Sequence, residues 1–315
     1  KNRCAEITAV SATFLSYNES GYKTNEVGDF MGQVVMFAGS KVGTGKTTAT
    51  IMAALAAHQL FKQRVLVIDA TTTLKATQNF KQIFNIEPTS NVLTGLAVKD
   101  LAKVVTPLRA GLDFIAGVPT LEDYFNTAME AAGTTKTART LGLVPPLMNI
   151  LRDRYDYIFI DSDAKFAAVM DNCLASTNYV VIMQPVGKAG FDATDKLFYY
   201  LKQLKQELPT VKAEIIGHLA VDFTETAPFY QVEPVSSFDV VDAFRTVITH
   251  NEWLAEDAPF APQATHNTIA RQMAGAMYSE VFNELQARIA LQQQLGKFAT
   301  NAGLTEQGQA VDLFA

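Results

Sequence analysis

The chain has 315 residues, 48% hydrophobic and 18% charged, the usage of an ordinary globular protein and not of a disordered one. Its 26 Lys and Arg against 32 Asp and Glu leave a net charge of −6, so any nucleic-acid contact must use a local basic patch rather than a basic domain. Two cysteines, Cys4 and Cys173, exclude a disulfide framework and a multi-cysteine metal site, and no apolar run approaches the ~20 residues of a membrane span. The four histidines show no metal-ligand spacing, and no basic stretch precedes a signal-like core. The expected compartment is reducing and cytoplasmic.

Taken in chain order, residues 5–17 carry Ile7, Val10, Phe14 and Leu15 at a helical period. A polar stretch over residues 18–29 follows. Residues 1–31 read as a helix-and-loop arm, either a dimer contact or a helix packed on its own domain. From Gln33 onward, short apolar runs alternate with helical patterns. Strands are expected at residues 34–38 (VVMFA), 64–69 (RVLVID), 112–116, 157–161 (YIFID), 179–184 and 215–221. Helices are expected at residues 47–61, 121–132, 147–154, 192–207 and 239–249, with a last long helix at 268–291. Continuous apolar strands belong in a sheet covered on both faces. Their alternation with helices predicts an α/β, doubly wound, mostly parallel sheet over residues 32–295. Residues 296–315 read as a polar tail.

The sharpest motif is the decapeptide from Gly39 to Thr48, GSKVGTGKTT. It follows a strand and opens a helix, the setting of a phosphate-binding loop. Gly43 and Gly45 let the backbone curl until several N–H groups face one anion. The start of the following helix adds its positive dipole end. In such a loop Ser40, Lys41, Val42, Thr44 and Thr48 line the phosphates, Lys46 reaches the β- and γ-phosphates, and the Thr47 hydroxyl ligates Mg²⁺. Ser40 stands where the general pattern has its first glycine. Two carboxylates, Asp69 and Asp161, end buried strands, where open α/β sheets place their ligands. Asp163 is a further carboxylate beside the phosphate site, either a group acting in hydrolysis or a surface or capping aspartate.

The segment from Lys41 to Thr47, KVGTGKT, resembles the deviant Walker A box, K-G-G-x-G-K-[ST], of the ParA/MinD family of P-loop ATPases, with Val42 where that family usually has glycine. The resemblance extends over roughly residues 32–290. It includes the YDY segment before Asp161 and the stretch 91–117, which looks most like the plasmid partition proteins. It implies that Lys41 reaches across a nucleotide-sandwich dimer to the other subunit's phosphates. It implies that Asp69 orders the Mg²⁺ site and that Asp161, the Walker B residue, holds Mg²⁺ through a water. The family's second aspartate, which activates the attacking water, is Thr71 here, and Thr73 replaces its glutamine. A threonine orients water but is a poor general base, so weak ATP hydrolysis is expected.

The function implied by the resemblance is that of a ParA-like partition ATPase. Its cofactors are ATP and Mg²⁺, and its partners are a second copy of itself, nonspecific DNA and a ParB-type centromere-binding protein that stimulates hydrolysis. It is then nucleoid-associated and drives plasmid or chromosome segregation. DNA contacts are expected from Lys and Arg in the C-terminal half, with Lys196, Lys202, Lys205, Lys212, Arg245 and Arg271 as candidates. One alternative is a MinD-like membrane-associated positioning ATPase. It needs a basic amphipathic C-terminal helix, a pattern that residues 295–315 lack, so no membrane partner is expected. The other alternative is a nucleotide-binding scaffold with negligible turnover, motivated by Thr71.

Overall fold

The computed structural model describes residues 32–131, 144–165, 167–185, 188–223, 243–255, 260 and 268–301. The expected N-terminal arm and most of the polar tail lie outside them. In chain order the elements are β1 (Gln33–Ala38), α1 (Lys46–Gln59), β2 (Val65–Ala70), α2 (Lys75–Phe84), α3 (Val92–Ala97), a 3-10 turn (Leu101–Val104), β3 (Thr106–Arg109) and β4 (Leu112–Ile115). They continue with α4 (Leu121–Ala131), α5 (Val144–Arg152), β5 (Tyr157–Ser162), α6 (Ala168–Ser176), β6 (Tyr179–Pro185), α7 (Lys188–Glu207), β7 (Glu214–Phe223), β8 (Ile248–Thr249), α8 (Glu252–Ala255) and α9 (Thr268–Asn301).

The strands form one sheet in the order β3-β4-β2-β5-β1-β6-β7-β8. Every pairing is parallel except β3 with β4, an antiparallel hairpin at the edge. The expectation of a mostly parallel, doubly wound sheet holds. Strands β2 and β5 are buried along their whole length, and β1 at every residue but Gln33, because helices cover both faces. Alternate residues of each strand therefore enter two cores. Val35, Phe37, Val67 and Phe159 pack toward α1 and α9. Val34, Met36, Leu66 and Ile160 pack toward the α5–α7 side.

Helix α1 is an Ala-rich segment with nine buried residues, the composition that lets a helix lie deep between sheet and neighbour. Phe282 of α9 closes over it, edge-on to Phe61 and Tyr157. Strand β1 sits where the chain order reverses: from β1 the chain runs to β2 on one side, and from β5 it later crosses past β1 to β6 on the other. Open sheets form a crevice at such a point, outside the carboxyl ends of the strands.

Three differences from the sequence reading matter for the site. The expected helix over residues 239–249 is not present in its described part. There Ala243 bridges His218, and Ile248–Thr249 forms β8 beside β7. The β-branched pair Ile248 and Thr249 suits an extended edge strand. Helix α7 begins a turn earlier than expected, at Lys188, and α9 continues to Asn301, past the expected end at residue 291. Cys173 is free and buried.

Candidate functional site

Strand β1 ends at Ala38, and residues 39–45 carry the chain into α1. Gly43 at φ 81° and Gly45 at φ 75° are left-handed, a conformation that costs residues with a Cβ ~1–2 kcal/mol. Val42 avoids it, since it is not among the residues at positive φ, and its side chain is 84% exposed. Gly45 is the N-cap of α1, and no side chain caps that helix. The first-turn N–H groups are thus free for a ligand, at the positive end of the helix dipole. Ser40 donates from Oγ to the carbonyl of Ala193 at 2.5 Å, which ties the loop to α7.

Lys46 lies under the loop and is only 8% exposed. Its Nζ donates to the Lys41 carbonyl at 3.0 Å and to Thr44 Oγ1 at 3.4 Å. Burial lowers its pKa, while Asp161 and Asp163 oppose the shift. Lys41 itself is exposed at the loop's outer turn.

Asp161 is fully buried, and neither carboxylate oxygen has a hydrogen-bond partner among the described residues. It stands directly across from Asp69 in the β2–β5 register. Burial first, and Asp69 second, push its pKa well above the ordinary carboxylate value. The Thr47 hydroxyl lies close enough to oppose this without meeting hydrogen-bond geometry, and Lys46 opposes it as well. A buried, unpaired carboxylate is costly until a cation or proton joins it.

Asp69 is equally buried but fully satisfied. Oδ1 accepts from Thr71 N at 2.9 Å and Thr71 Oγ1 at 2.7 Å, while Oδ2 accepts from Thr77 N at 2.8 Å and Thr77 Oγ1 at 2.7 Å. Burial raises its pKa, and these four donors hold it back. Asp69 therefore shapes the turn between β2 and α2. Thr71, expected to orient water, is 2% exposed. Its hydroxyl donates to Asp69 and accepts from the Leu74 N–H at 3.0 Å. In this conformation it is committed to the turn. Thr73 Oγ1 lies 3.4 Å from Thr71 Oγ1. Asp163 accepts from Thr72 and so joins the turn after β2 to the one after β5.

Beside the loop opens a cleft of about 330 Å³. Its floor is Lys41, the residues 42–45 and Thr48, and its walls come from the ends of β6, β7 and β8, with Asp222, His250, Leu254 and Tyr278. Asp222 Oδ1 lies 2.7 Å from His250 Nδ1. The sequence reading missed this wall. Asp222 ends a strand like Asp69 and Asp161, which was a usable signal, whereas expecting helix up to residue 249 hid Ile248 and Thr249.

The basic candidates are dispersed. Lys196, Lys202, Lys212, Arg245 and Arg271 are exposed. Lys205 is instead engaged by Glu214 at 2.7 Å and by the Ala213 carbonyl at 3.2 Å. No helix among the described residues is long and apolar enough to cross a membrane.

A glycine loop after a central strand, a buried lysine beneath it and a buried carboxylate on the neighbouring strand define a P-loop nucleotide-binding protein. Residues 32–214 match the family described as an AAA domain, and the chain belongs to that family. Its fold is the P-loop NTPase fold of the ParA/MinD type. No curated relative matches the chain. Among solved structures it is similar to a Borrelia burgdorferi protein described as a plasmid partition protein bound to AMPPNP. The identity is 19% and the TM-score 0.64, with 82% of this chain and 99% of that one covered. It is similar to the Cyanothece McdA(D38A)–ATP complex at 15% identity and TM-score 0.65, covering 84% and 98%. It is also similar to cobyrinic acid a,c-diamide synthase from Mycobacterium smegmatis with bound ADP and magnesium, at 14% identity and TM-score 0.63, covering 81% and 94%.

The residues present fit a nucleotide and its metal. The orphaned carboxylate of Asp161, with the Thr47 hydroxyl near it, is the hard oxygen donor set that Mg²⁺ takes alongside waters and phosphate. The uncapped α1 and the two left-handed glycines form the anion cradle.

Proposed function

We propose that this chain is a ParA-like partition ATPase. ATP and Mg²⁺ hold two copies together, the dimer binds DNA nonspecifically, and hydrolysis stimulated by a ParB-type centromere-binding protein releases it, so that a plasmid or chromosome is segregated at the nucleoid. The observation that carries the reading is Lys46 buried beneath the loop, with the unpaired Asp161 close enough to shift its pKa.

The loop N–H groups bind the phosphates. Lys46 exchanges the Lys41 carbonyl and Thr44 hydroxyl for the β- and γ-phosphate oxygens. Thr47 and Asp161 hold Mg²⁺, which when bound neutralises charge on the phosphates. Lys41, exposed at the turn, is free to meet the phosphates of a second copy. The cleft beside the loop takes the nucleoside.

Molar mass measured by light scattering with ATP, with ADP and without nucleotide tests this, with DNA then added to each sample. The reading expects dimers and DNA retardation at low salt with ATP alone. Monomers throughout, with no DNA retarded, contradict it.

A second reading is a nucleotide-binding scaffold with negligible turnover. The inward commitment of the Thr71 hydroxyl to Asp69 supports it. Phosphate release that is readily measurable in the parent and abolished by Lys46→Ala excludes that reading.

A further inference from the structure

Residues 243–246 precede β8 and the cleft residues Thr249, His250 and Asn251. They are held by two side chains of α9 that stand outside the cleft. Glu284 accepts from Arg245 N at 2.9 Å with Oε1, and from Thr246 N at 3.1 Å and Thr246 Oγ1 at 3.2 Å with Oε2. Arg288 donates to Ala243 O at 2.6 Å, to Ile216 O at 3.0 Å and to Glu284 Oε1 at 2.8 and 2.9 Å. Its guanidinium also lies over the Phe244 ring, 4.5 Å from the centroid. The two side chains are 16% and 19% exposed, so solvent screens the pair little.

Backbone groups of two separate segments converge on one planar guanidinium. Ile216 belongs to β7 and Ala243 to the segment leading to β8. A Cβ on Gly217 would come within 2.7 Å of Phe244 and 2.9 Å of Arg288 Nη1. The segment is therefore seated directly on the β7 backbone. The same helix supplies Tyr278 to the cleft. Further along the wall, Asn251 Nδ2 donates to Ala270 O of α9 at 2.9 Å.

We infer that Glu284 and Arg288 are positioning residues for nucleoside binding. They bolt the chain before β8 to α9 and so set the width of the cleft wall, while touching no ligand themselves. The inference rests on the nucleotide reading of the cleft. It assigns the pair to the nucleoside half of the ligand and leaves the phosphate half to the loop.

Full-length Arg288→Lys and Glu284→Gln, singly and together, are titrated calorimetrically with Mg²⁺–AMPPNP and with Mg²⁺–tripolyphosphate, well below their unfolding temperatures. AMPPNP affinity is expected to fall about tenfold in each single variant, with tripolyphosphate affinity held within about twofold. Because the two act as one bolt, the double variant is expected to lose no more than the worse single one. Thr246→Val removes only one hydroxyl contact and keeps the test open should the charged variants fold poorly; its smaller loss must also fall on AMPPNP alone. Equal losses for both probes, or none for either, overturn the inference while leaving nucleotide binding intact. A parent protein that binds neither probe overturns the nucleotide reading, and this inference with it.

Discussion

Asp163 Oδ2 accepts from both the Thr72 N–H, at 2.8 Å, and the Thr72 hydroxyl, at 2.7 Å. One carboxylate from the turn after β5 thus holds the turn after β2, and does so beside Lys46 and Asp161, whose pKa values it helps to raise. The turns after two adjacent strands, both on one side of the phosphate loop, are thereby linked. Asp163→Ala is expected to cost about 0.5–1.5 kcal/mol in urea unfolding, since water reaches the freed Thr72 groups. Amide exchange at Thr72 should quicken while that of the strand interiors falls only by the global change. Unchanged exchange at Thr72 would mean the link is not made in solution.

Asp161→Asn is expected to stabilise the nucleotide-free protein by about 1–3 kcal/mol at neutral pH, because an unpaired buried charge is removed. The pH dependence has a definite sign. The folded-state pKa lies above the ordinary value of 3.8, so the folded protein holds this proton more tightly than the unfolded chain. The parent's stability from this group is fully present below that ordinary value and is lost as pH rises through the folded-state pKa. The variant lacks that loss. Urea midpoints between about pH 5 and about pH 8 should therefore diverge upward in pH. The variant should also lose the gain in nucleotide affinity that Mg²⁺ gives the parent.

Thr77→Val is nearly isosteric and removes one hydroxyl that serves two groups. It donates to Asp69 at 2.7 Å and accepts from the Gly117 N–H at 3.0 Å. Both partners are buried, so a loss of about 1–3 kcal/mol is expected in urea unfolding. A loss within the ~0.5 kcal/mol of an ordinary surface change would show that Asp69 does not depend on this clamp.

A Cβ placed on Gly43 meets nothing within 4 Å. Gly43→Ala therefore isolates the conformational cost of φ 81°, about 1–2 kcal/mol. Gly43→Asn should lose less, because asparagine tolerates the left-handed region. Thermal unfolding of the two variants checks the order. If alanine proves no worse than asparagine, the loop does not hold its left-handed turn.

The parallel sheet was legible because residues such as Val34–Ala38, Val65–Ile68 and Ile158–Ile160 form apolar runs that only a two-faced sheet can bury. The phosphate loop was legible because its glycines, lysine and threonine act through local backbone. Less showed where long-range partners decide. Helix α2 is the exception: Ala76, Phe80, Ile83 and Phe84 recur at helical spacing and pack into one core, a period the sequence reading passed over. Strand β3 contains Pro107 and pairs only as an edge strand with β4. The helix expected up to residue 249 failed because β7 offered Ile248 and Thr249 an open edge. The Thr72–Asp163 link joins separate turns, and no spacing along the chain encodes it.

Calorimetric titration of the full chain with Mg²⁺–AMPPNP, beside Lys46→Ala, tests the central claim most directly. The account predicts one saturable site per chain in the parent and an affinity at least about a hundredfold weaker in the variant, since the buried ammonium beneath the loop is the charge that meets the phosphates. No binding by the parent, or equal binding by both proteins, would contradict it.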